Sequence, residues 1–452
     1  MAVQSKATRI ELFSLSSPQM RAFHMAWFAF FSVFFAWFGI APLMPIVRAD
    51  LGLTQAQVGN TIIGSVAATI FVRLLIGPLC DRYGARLTYT VLLVVGSIPV
   101  MAIGLAQSYE AFLLFRIAIG AIGAAFVITQ YHTSVMFAPN CVGTANATTA
   151  GWGNLGGGVT QIVMPLVLSG FLLLGVSEGM SWRLAMVIPG VVLLLIGFAY
   201  YHFTQDSPEG NYRDIRRPGK VGTVARGVRI RRLARVARDS RVWILFVLYA
   251  ACFGVELTIN NVAALYFHDR YDLGLQAAGL VAGLFGLMNI FARTLGGYLS
   301  DHSSHRWGMQ GRIRLLFGVV LAEGVTMILF SRVGVLPFAI ATLLLFSLFV
   351  QMAEGATFGI VPFVNRKALG AVAGIVGAGG NVGAVAAGFL FRSEGLSYDQ
   401  AFLYLGGTIV VASFFTLLLR FPSRLKVVDD VPIPAVSTTA RRRKREPAGV
   451  MT

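Results

Sequence analysis

Most of this chain lies in apolar stretches about as long as a bilayer's hydrocarbon core is thick, and few folds accept such a pattern. Crossing roughly 30 Å of hydrocarbon takes about 20 helical residues. By that measure the sequence divides into about twelve stretches, beginning near residues 22, 56, 86, 109, 143, 182, 242, 275, 313, 335, 369 and 398. Inside hydrocarbon every backbone N–H and C=O must be satisfied within its own segment, so the stretches are helices. Only 13% of the 452 residues are charged and 56% are hydrophobic, whereas a soluble domain is about 25% charged. A water-soluble fold is excluded. An all-α membrane protein of twelve transmembrane helices is expected.

The longest polar interruption parts six stretches from six. It divides the chain into a cytoplasmic N-terminal segment (1–21), a six-helix bundle (22–203), a basic linker (204–241), a second bundle (242–421) and a basic tail (422–452) expected to be disordered. Met1 to Arg21 is polar, with no apolar run before a small-residue cleavage site, so no cleaved leader is expected. With both termini in the cytoplasm, about 29 of the 37 Lys and Arg fall on the inner side and 3 within spans. The 5 outside are Arg48, Arg183, Arg270, Arg332 and Arg392. The reverse topology would invert the positive-inside bias. The net charge of +17, with runs such as Arg441–Arg445, then reads as attraction to anionic lipid headgroups and not to nucleic acid. Cys80, Cys141 and Cys252 have no paired spacing, so neither a disulfide framework nor a metal site is indicated. No cofactor motif is present.

The two halves resemble each other. Arg73-Leu-Leu-Ile-Gly77-Pro-Leu-Cys-Asp81 and Arg293-Thr-Leu-Gly-Gly297-Tyr-Leu-Ser-Asp301 share Arg, Gly and Asp at one spacing. Later in each half comes Gly-Asn-x-Gly, at Gly153 to Gly156 and Gly380 to Gly383. Matched features in one order are the mark of a transporter built from repeats. Gly151, Gly153, Gly156 and Gly157, and Gly377, Gly379 and Gly380 with Asn381, read as small-residue faces that let helices approach and rock. A phosphate-cradling loop would need a preceding strand and a following Lys, and both are missing.

Arg73 and Arg293 each lie two helical turns before the cytoplasmic Asp of their span, near mid-depth. A central Arg costs roughly 2.5 to 3.5 kcal/mol to insert, and neither has an acid three or four residues away on its own helix. A guanidinium stays charged, and its planar donor fork matches a small planar oxyanion. Two symmetry-related forks facing one cavity make an anion site. The plainer alternative is that each pairs with Glu or Asp on another helix. Arg116 is a third intramembrane arginine, for which a structural ion pair is the leading expectation. No HExxH, Walker loop or Ser/His/Asp set supports an enzyme, and no appended domain supports a sensor.

At this point the sequence resembles a known family. Ala150-Gly-Trp-Gly-Asn-Leu-Gly-Gly-Gly158 and Gly374-Ile-Val-Gly-Ala-Gly-Gly-Asn381-Val-Gly383 are similar to the two signatures of the nitrate/nitrite porter family. Gly77-Pro-Leu-Cys-Asp81-Arg82-Tyr-Gly84-Ala-Arg86 resembles the loop motif of the major facilitator superfamily. Gly254-Val-Glu256-Leu-Thr-Ile-Asn-Asn261 and Thr129-Gln-Tyr131 look closer to the assimilatory branch of the nitrate/nitrite porters than to the respiratory one. The resemblance implies a major facilitator fold of two pseudo-symmetric six-helix halves, with Arg73 and Arg293 clamping nitrate or nitrite. It implies that Asn154, Tyr249, Phe126 and Phe253 line the site. Gly77, Asp81, Arg82, Gly84 and Arg86 would serve the conformational cycle, and Arg116 structure or proton coupling. It further implies a monomer in the plasma membrane, the inner membrane of a bacterium.

Moving one negative charge into a cell that is negative inside costs about 2.3 kcal/mol per 100 mV. The membrane potential therefore drives import only if at least two protons accompany each anion. Glu256, Glu323 and Glu354 are the candidate carriers, with His24 and His132 behind them. Proton symport is the expectation, nitrate/nitrite exchange its main rival, and transport of another small anion such as a carboxylate a third.

Overall fold

The computed structural model describes residues 5–138, 141–215, 235–365 and 369–421. Ahead of the linker run α1 (Pro18–Trp37), α2 (Met44–Leu51), α3 (Gln55–Tyr83), α4 (Ala85–Ala102), α5 (Tyr109–Gly120), α6 (Ala125–Met136), α7 (Val142–Leu173), α8 (Glu178–Ala185) and α9 (Val187–Phe203). A short α10 (Tyr212–Ile215) lies in the linker. After it come α11 (Ser240–Tyr271), α12 (Leu275–Leu287), α13 (Ala292–Phe330), α14 (Leu336–Val364), α15 (Leu369–Arg392) and α16 (Tyr398–Ser413). The basic tail and the arginines between 216 and 234 fall outside the described residues.

Capping chemistry sets several of the boundaries. Ser17 accepts from the Met20 N–H at the start of α1, and Pro18 occupies a position where a missing N–H costs nothing. Thr54 with Gln57 and Ser397 with Gln400 form capping boxes on α3 and α16. Helix α3 stops at Gly84, whose φ of 88° strains any residue bearing a Cβ.

Eleven helical stretches among the described residues are long and apolar enough to cross a membrane. The eighth, Leu275–Phe330, spans 56 residues, which laid straight would measure about 84 Å. It folds back at Gly308, with φ 58° and ψ −147°. The crossings expected near 275 and 313 are therefore one helical stretch turned on itself. Its polar middle stays ordered because Arg312 Nη1 meets Asp301 at 2.6 Å and Ser304 Oγ donates to the Asp301 carbonyl. The surface is apolar where lipid would lie: Phe71, Leu74, Leu105, Leu173 and Phe338 are all exposed. The interior holds the polar groups, including Asn154, Glu256, Glu323 and Glu354. This inverted distribution is that of a multi-pass membrane protein.

The halves before and after the linker meet along two seams, α7 with α12 and α3 with α15, all within the unit Met1–Arg420. On the first seam, a Cβ at Gly158 would stand 2.6 Å from the Gly286 carbonyl carbon. On the second, a Cβ at Gly59 would stand 2.5 Å from Arg392 Cα. The end of the bundle remote from where α1 begins is clasped as well. Arg48 donates twice to the Asp269 carboxylate, at 2.6 and 2.7 Å. Gln55 Nε2 reaches the carbonyls of Phe391, Ser393 and Leu396. Arg183 pairs with Asp50 and Arg270 with Asp399 at the same end.

Candidate anion site

Local irregularity positions both arginines. Helix α5 tightens into a 3-10 turn at Ala121–Ala124, crowded at its two glycine positions: a Cβ at Gly120 would overlap the Ser65 carbonyl, and one at Gly123 the Trp37 ring. The turn frees the Gly123 carbonyl. Arg73 Nη2 donates to it at 3.3 Å, and Nη1 crosses to the Gly377 carbonyl of the other half at 3.4 Å. The guanidinium lies over the Phe126 ring, 5.2 Å from its centroid. Arg73 is half-buried, and its Nε is buried without a partner.

In the second half the corresponding irregularity is the 3-10 turn Met288–Ile290, after which Arg293 lies in the first turn of α13. Arg293 is buried and donates from Nη2 to the Tyr249 hydroxyl at 3.0 Å. Its Nη1 stands 2.5 Å from Glu354 Oε2. The N–H bonds do not point at that oxygen, so Nη1 and both Glu354 oxygens lack an aligned hydrogen bond. The contact is an ion pair held by charge rather than by geometry. Tyr249 stacks on Phe253 with centroids 5.2 Å apart, stands edge-on to Phe358, and lies within electrostatic reach of Arg73. Glu256 accepts from Asn289 at 2.8 Å and from Asn154, in the other half, at 3.3 Å. The result is two guanidiniums from opposite halves, a hydroxyl on Arg293, aromatic walls, an unpartnered Nε on Arg73 and a carboxylate against Arg293.

Arg73, Arg293, Tyr249, Phe126, Phe253 and Asn154 are thus joined by contacts running from one half to the other. Contact with an acid on another helix, the plainer alternative for the arginines, is what Arg293 shows with Glu354, and Asn154 reaches Glu256 in the same way. Asn381 lacks any partner, although its repeat mate Asn154 has one.

The glycines divide by direction. Gly153 and Gly156 face α1, where a Cβ would strike the Phe30 ring and the Phe31 carbonyl; Gly379 and Gly380 face α11, against Phe246 and Phe253. These contacts lie within one half. Gly151 faces Asn289 and Arg293, Gly157 faces Asn260, and Gly377 faces Phe126, all across the halves.

Arg116 donates to the Trp37 carbonyl at 3.1 Å and to Asn261 Oδ1 at 3.0 Å. A carbonyl and an amide stand where an ion pair was expected. His132 is held at both ring nitrogens, by the Tyr200 hydroxyl and the Gln205 carbonyl. His24 Nδ1 accepts from Trp27. Glu323 is buried with neither oxygen partnered.

In the loop motif, Asp81 and Arg82 are exposed and Gly77 is partly buried in α3. The carboxylate that caps a helix here is Asp206, which accepts from the backbone N–H groups of Arg86 and Tyr212. Asp206 fills the space a Cβ would need at Gly84, and Arg86 donates from Nε to the Tyr201 carbonyl. Sequence reasoning missed Asp206 and Asn289. Asn289, a lone amide in an apolar run four residues before Arg293, carried a readable signal.

A profile of the Major Facilitator Superfamily matches residues 26–387. The chain is 41% identical over 425 residues to a high affinity nitrate transporter 2.5 of Arabidopsis thaliana, covering 93% of this chain and 83% of that one. It is 41% identical to a high-affinity nitrate transporter 2.3 of Oryza sativa subsp. japonica, covering 92% and 81%. It is 32% identical to the nitrate/nitrite transporter NrtP of Picosynechococcus sp., covering 80% and 83%. Among solved structures, a bacterial homolog to the human lysosomal transporter Spinster, inward-facing and occupied, superposes with a TM-score of 0.67 at 16% identity, covering 88% and 95%. The nucleoside transporter NupG superposes with a TM-score of 0.62 at 16% identity, covering 89% and 100%. At such identities these two matches speak for the fold.

Proposed function

The chain belongs to the nitrate/nitrite porter family of the major facilitator superfamily, and from that footing we propose that it imports nitrate, and nitrite with it, through the plasma membrane. The observation that carries this reading is the pair of arginines from opposite halves, Arg73 with its buried Nε left over and Arg293 with Nη1 set against the Glu354 carboxylate. A small planar anion offers acceptors to both forks at once, while a larger one would have to displace Phe126 or Tyr249. One chain supplies both forks, so a monomer suffices. Both termini face the cytoplasm in this reading, and the Arg48–Asp269 end faces outward. The outer end is then closed, and alternating access proceeds by rocking the halves about the site. Proton symport is favoured over exchange because carboxyl groups stand against the anion forks: Glu354 touches Arg293.

The test is labelled nitrate entry into vesicles holding the purified protein. With an acidic exterior, a negative interior and no internal anion, accumulation is expected. Uptake seen only with nitrite inside and no proton or voltage gradient would make the protein an exchanger. Binding without flux in either regime would reduce it to a sensor. Competition by small carboxylates at equal concentration would broaden the substrate beyond nitrate and nitrite.

A further inference from the structure

Two acids border the site, and they are held differently. Both oxygens of Glu256 are gripped, by Asn289 and by Asn154. Neither oxygen of Glu354 has an aligned donor, although the residue is fully buried and 2.5 Å from Arg293. A buried ion pair kept for structure satisfies its remaining lone pairs with further hydrogen bonds. Glu354 does not. The titratable groups facing it are Arg293 on α13, Glu256, Tyr249 and Cys252 on α11, and Glu323 on the returning arm of α13. Glu256 is close enough to share a hydrogen bond with it.

We propose that Glu354 holds the anion's place on Arg293 and surrenders it by taking a proton, so that anion binding and proton binding are one event. This rests on the nitrate reading above. Charge balance supports it. In the empty site Glu354 already supplies the negative charge that faces Arg293. An arriving anion adds one negative charge in a place where uncompensated charge is strongly disfavoured. One proton from the outer water, bound by a Glu354 oxygen, cancels that charge and turns the group from an acceptor competing for Arg293 into a neutral acid. Nη1 is then free to face the anion. The amide that reaches Glu256 from Asn154 belongs to the opposite half, so its grip depends on how the halves sit.

The experiment measures nitrate affinity of the purified full chain against pH, and counts protons taken up with an indicator dye in weak buffer. For the wild type, affinity is expected to weaken about tenfold per pH unit on the alkaline side, with about one proton drawn in per anion. Glu354→Gln is expected to lose the slope and bind nitrate at alkaline pH as tightly as the wild type does at acid pH. A Glu354→Gln slope equal to the wild type's would place the proton elsewhere and overturn the proposal. So would a wild type with flat affinity and no proton uptake while Arg293→Lys loses the anion; the nitrate reading would then survive alone. No nitrate binding at any pH would sink that reading itself. Should Glu354→Gln fail to fold, Glu354→Asp serves: a retained slope with a displaced midpoint supports the assignment, and an unmoved midpoint refutes it.

Discussion

Arg73 and Arg293 hold the same place in the repeat but have unlike neighbours. Arg73 gives its nitrogens to two backbone carbonyls and lies on a phenyl face; Arg293 faces a carboxylate and a hydroxyl. Truncation should therefore separate stability from binding. Arg293→Ala strands the buried Glu354 charge, a loss of about 3 to 5 kcal/mol. Arg73→Ala leaves only half-satisfied carbonyls beside a half-buried site, about 1 to 3 kcal/mol. Both variants are expected to lose nitrate binding, with the larger drop in melting temperature for Arg293→Ala. Substitution by Lys keeps the charge but removes the planar fork. That is worth about 1.5 to 3 kcal/mol, or roughly ten- to a hundredfold in affinity, at either position. Thermal melts with nitrate calorimetry check this. Equal melting losses for the two alanine variants would mean that the Glu354 contact contributes no stability.

Along α7 the consequence of adding a methyl group depends on which way each glycine faces, and three alanine substitutions separate the cases. Gly143 has nothing within 4 Å among the described residues, so Gly143→Ala should stabilise by up to about 1 kcal/mol through helix propensity alone. At Gly153 the new Cβ would meet the Phe30 ring at 2.0 Å, and overpacking within one half should cost about 1 to 3 kcal/mol of stability. At Gly158 the collision is with Gly286 on the other half, at 2.6 Å. Because the halves can part, Gly158→Ala should melt near the wild type yet slow uptake by an order of magnitude or more, since the seam no longer closes. Melting curves and vesicle uptake are the checks, and a Gly158→Ala protein that unfolds early but transports normally would reverse the assignment. Spacing alone exposed the glycine-rich stretches, because helix packing in membranes rewards small residues wherever they recur. It could not tell Gly153 from Gly158. Direction on a helix is read from an apolar-polar contrast, and both faces of α7 are apolar.

The apolar crossings were legible because hydropathy is a local property of a chain. The turn at Gly308 was not. The polar stretch from Asp301 to Arg312 read as a loop, and only the ion pair between its ends shows why it stays helical up to the turn. Nor was the pairing of Arg293 with Glu354, since contacts between distant segments depend on how helices cross. The clasp at the far end belongs to the same class: Arg48 was assigned outside as a count in a charge balance, and its partner Asp269 became visible only once the halves were assembled. That clasp sets how often the far end opens. The Arg48 and Asp269 side chains are 34% and 21% exposed, so even a bidentate pair is worth only about 1 kcal/mol after solvent screening. The Gln55 amide on three carbonyls adds about as much. Removing both should raise the open fraction roughly tenfold or more. Spin labels at Gln107 and Val335, exposed positions on loops of the two halves, report this as a second, longer distance in Arg48→Ala with Gln55→Ala. Salt at molar strength should move the wild type part of the way, because a half-exposed ion pair is screened and the amide is not. Should the distance distribution stay single in the double variant, the glycine contacts of the α7–α12 and α3–α15 seams, and not the clasp, hold the far end shut. Uptake would then be limited by separating packed backbones rather than by breaking one ion pair.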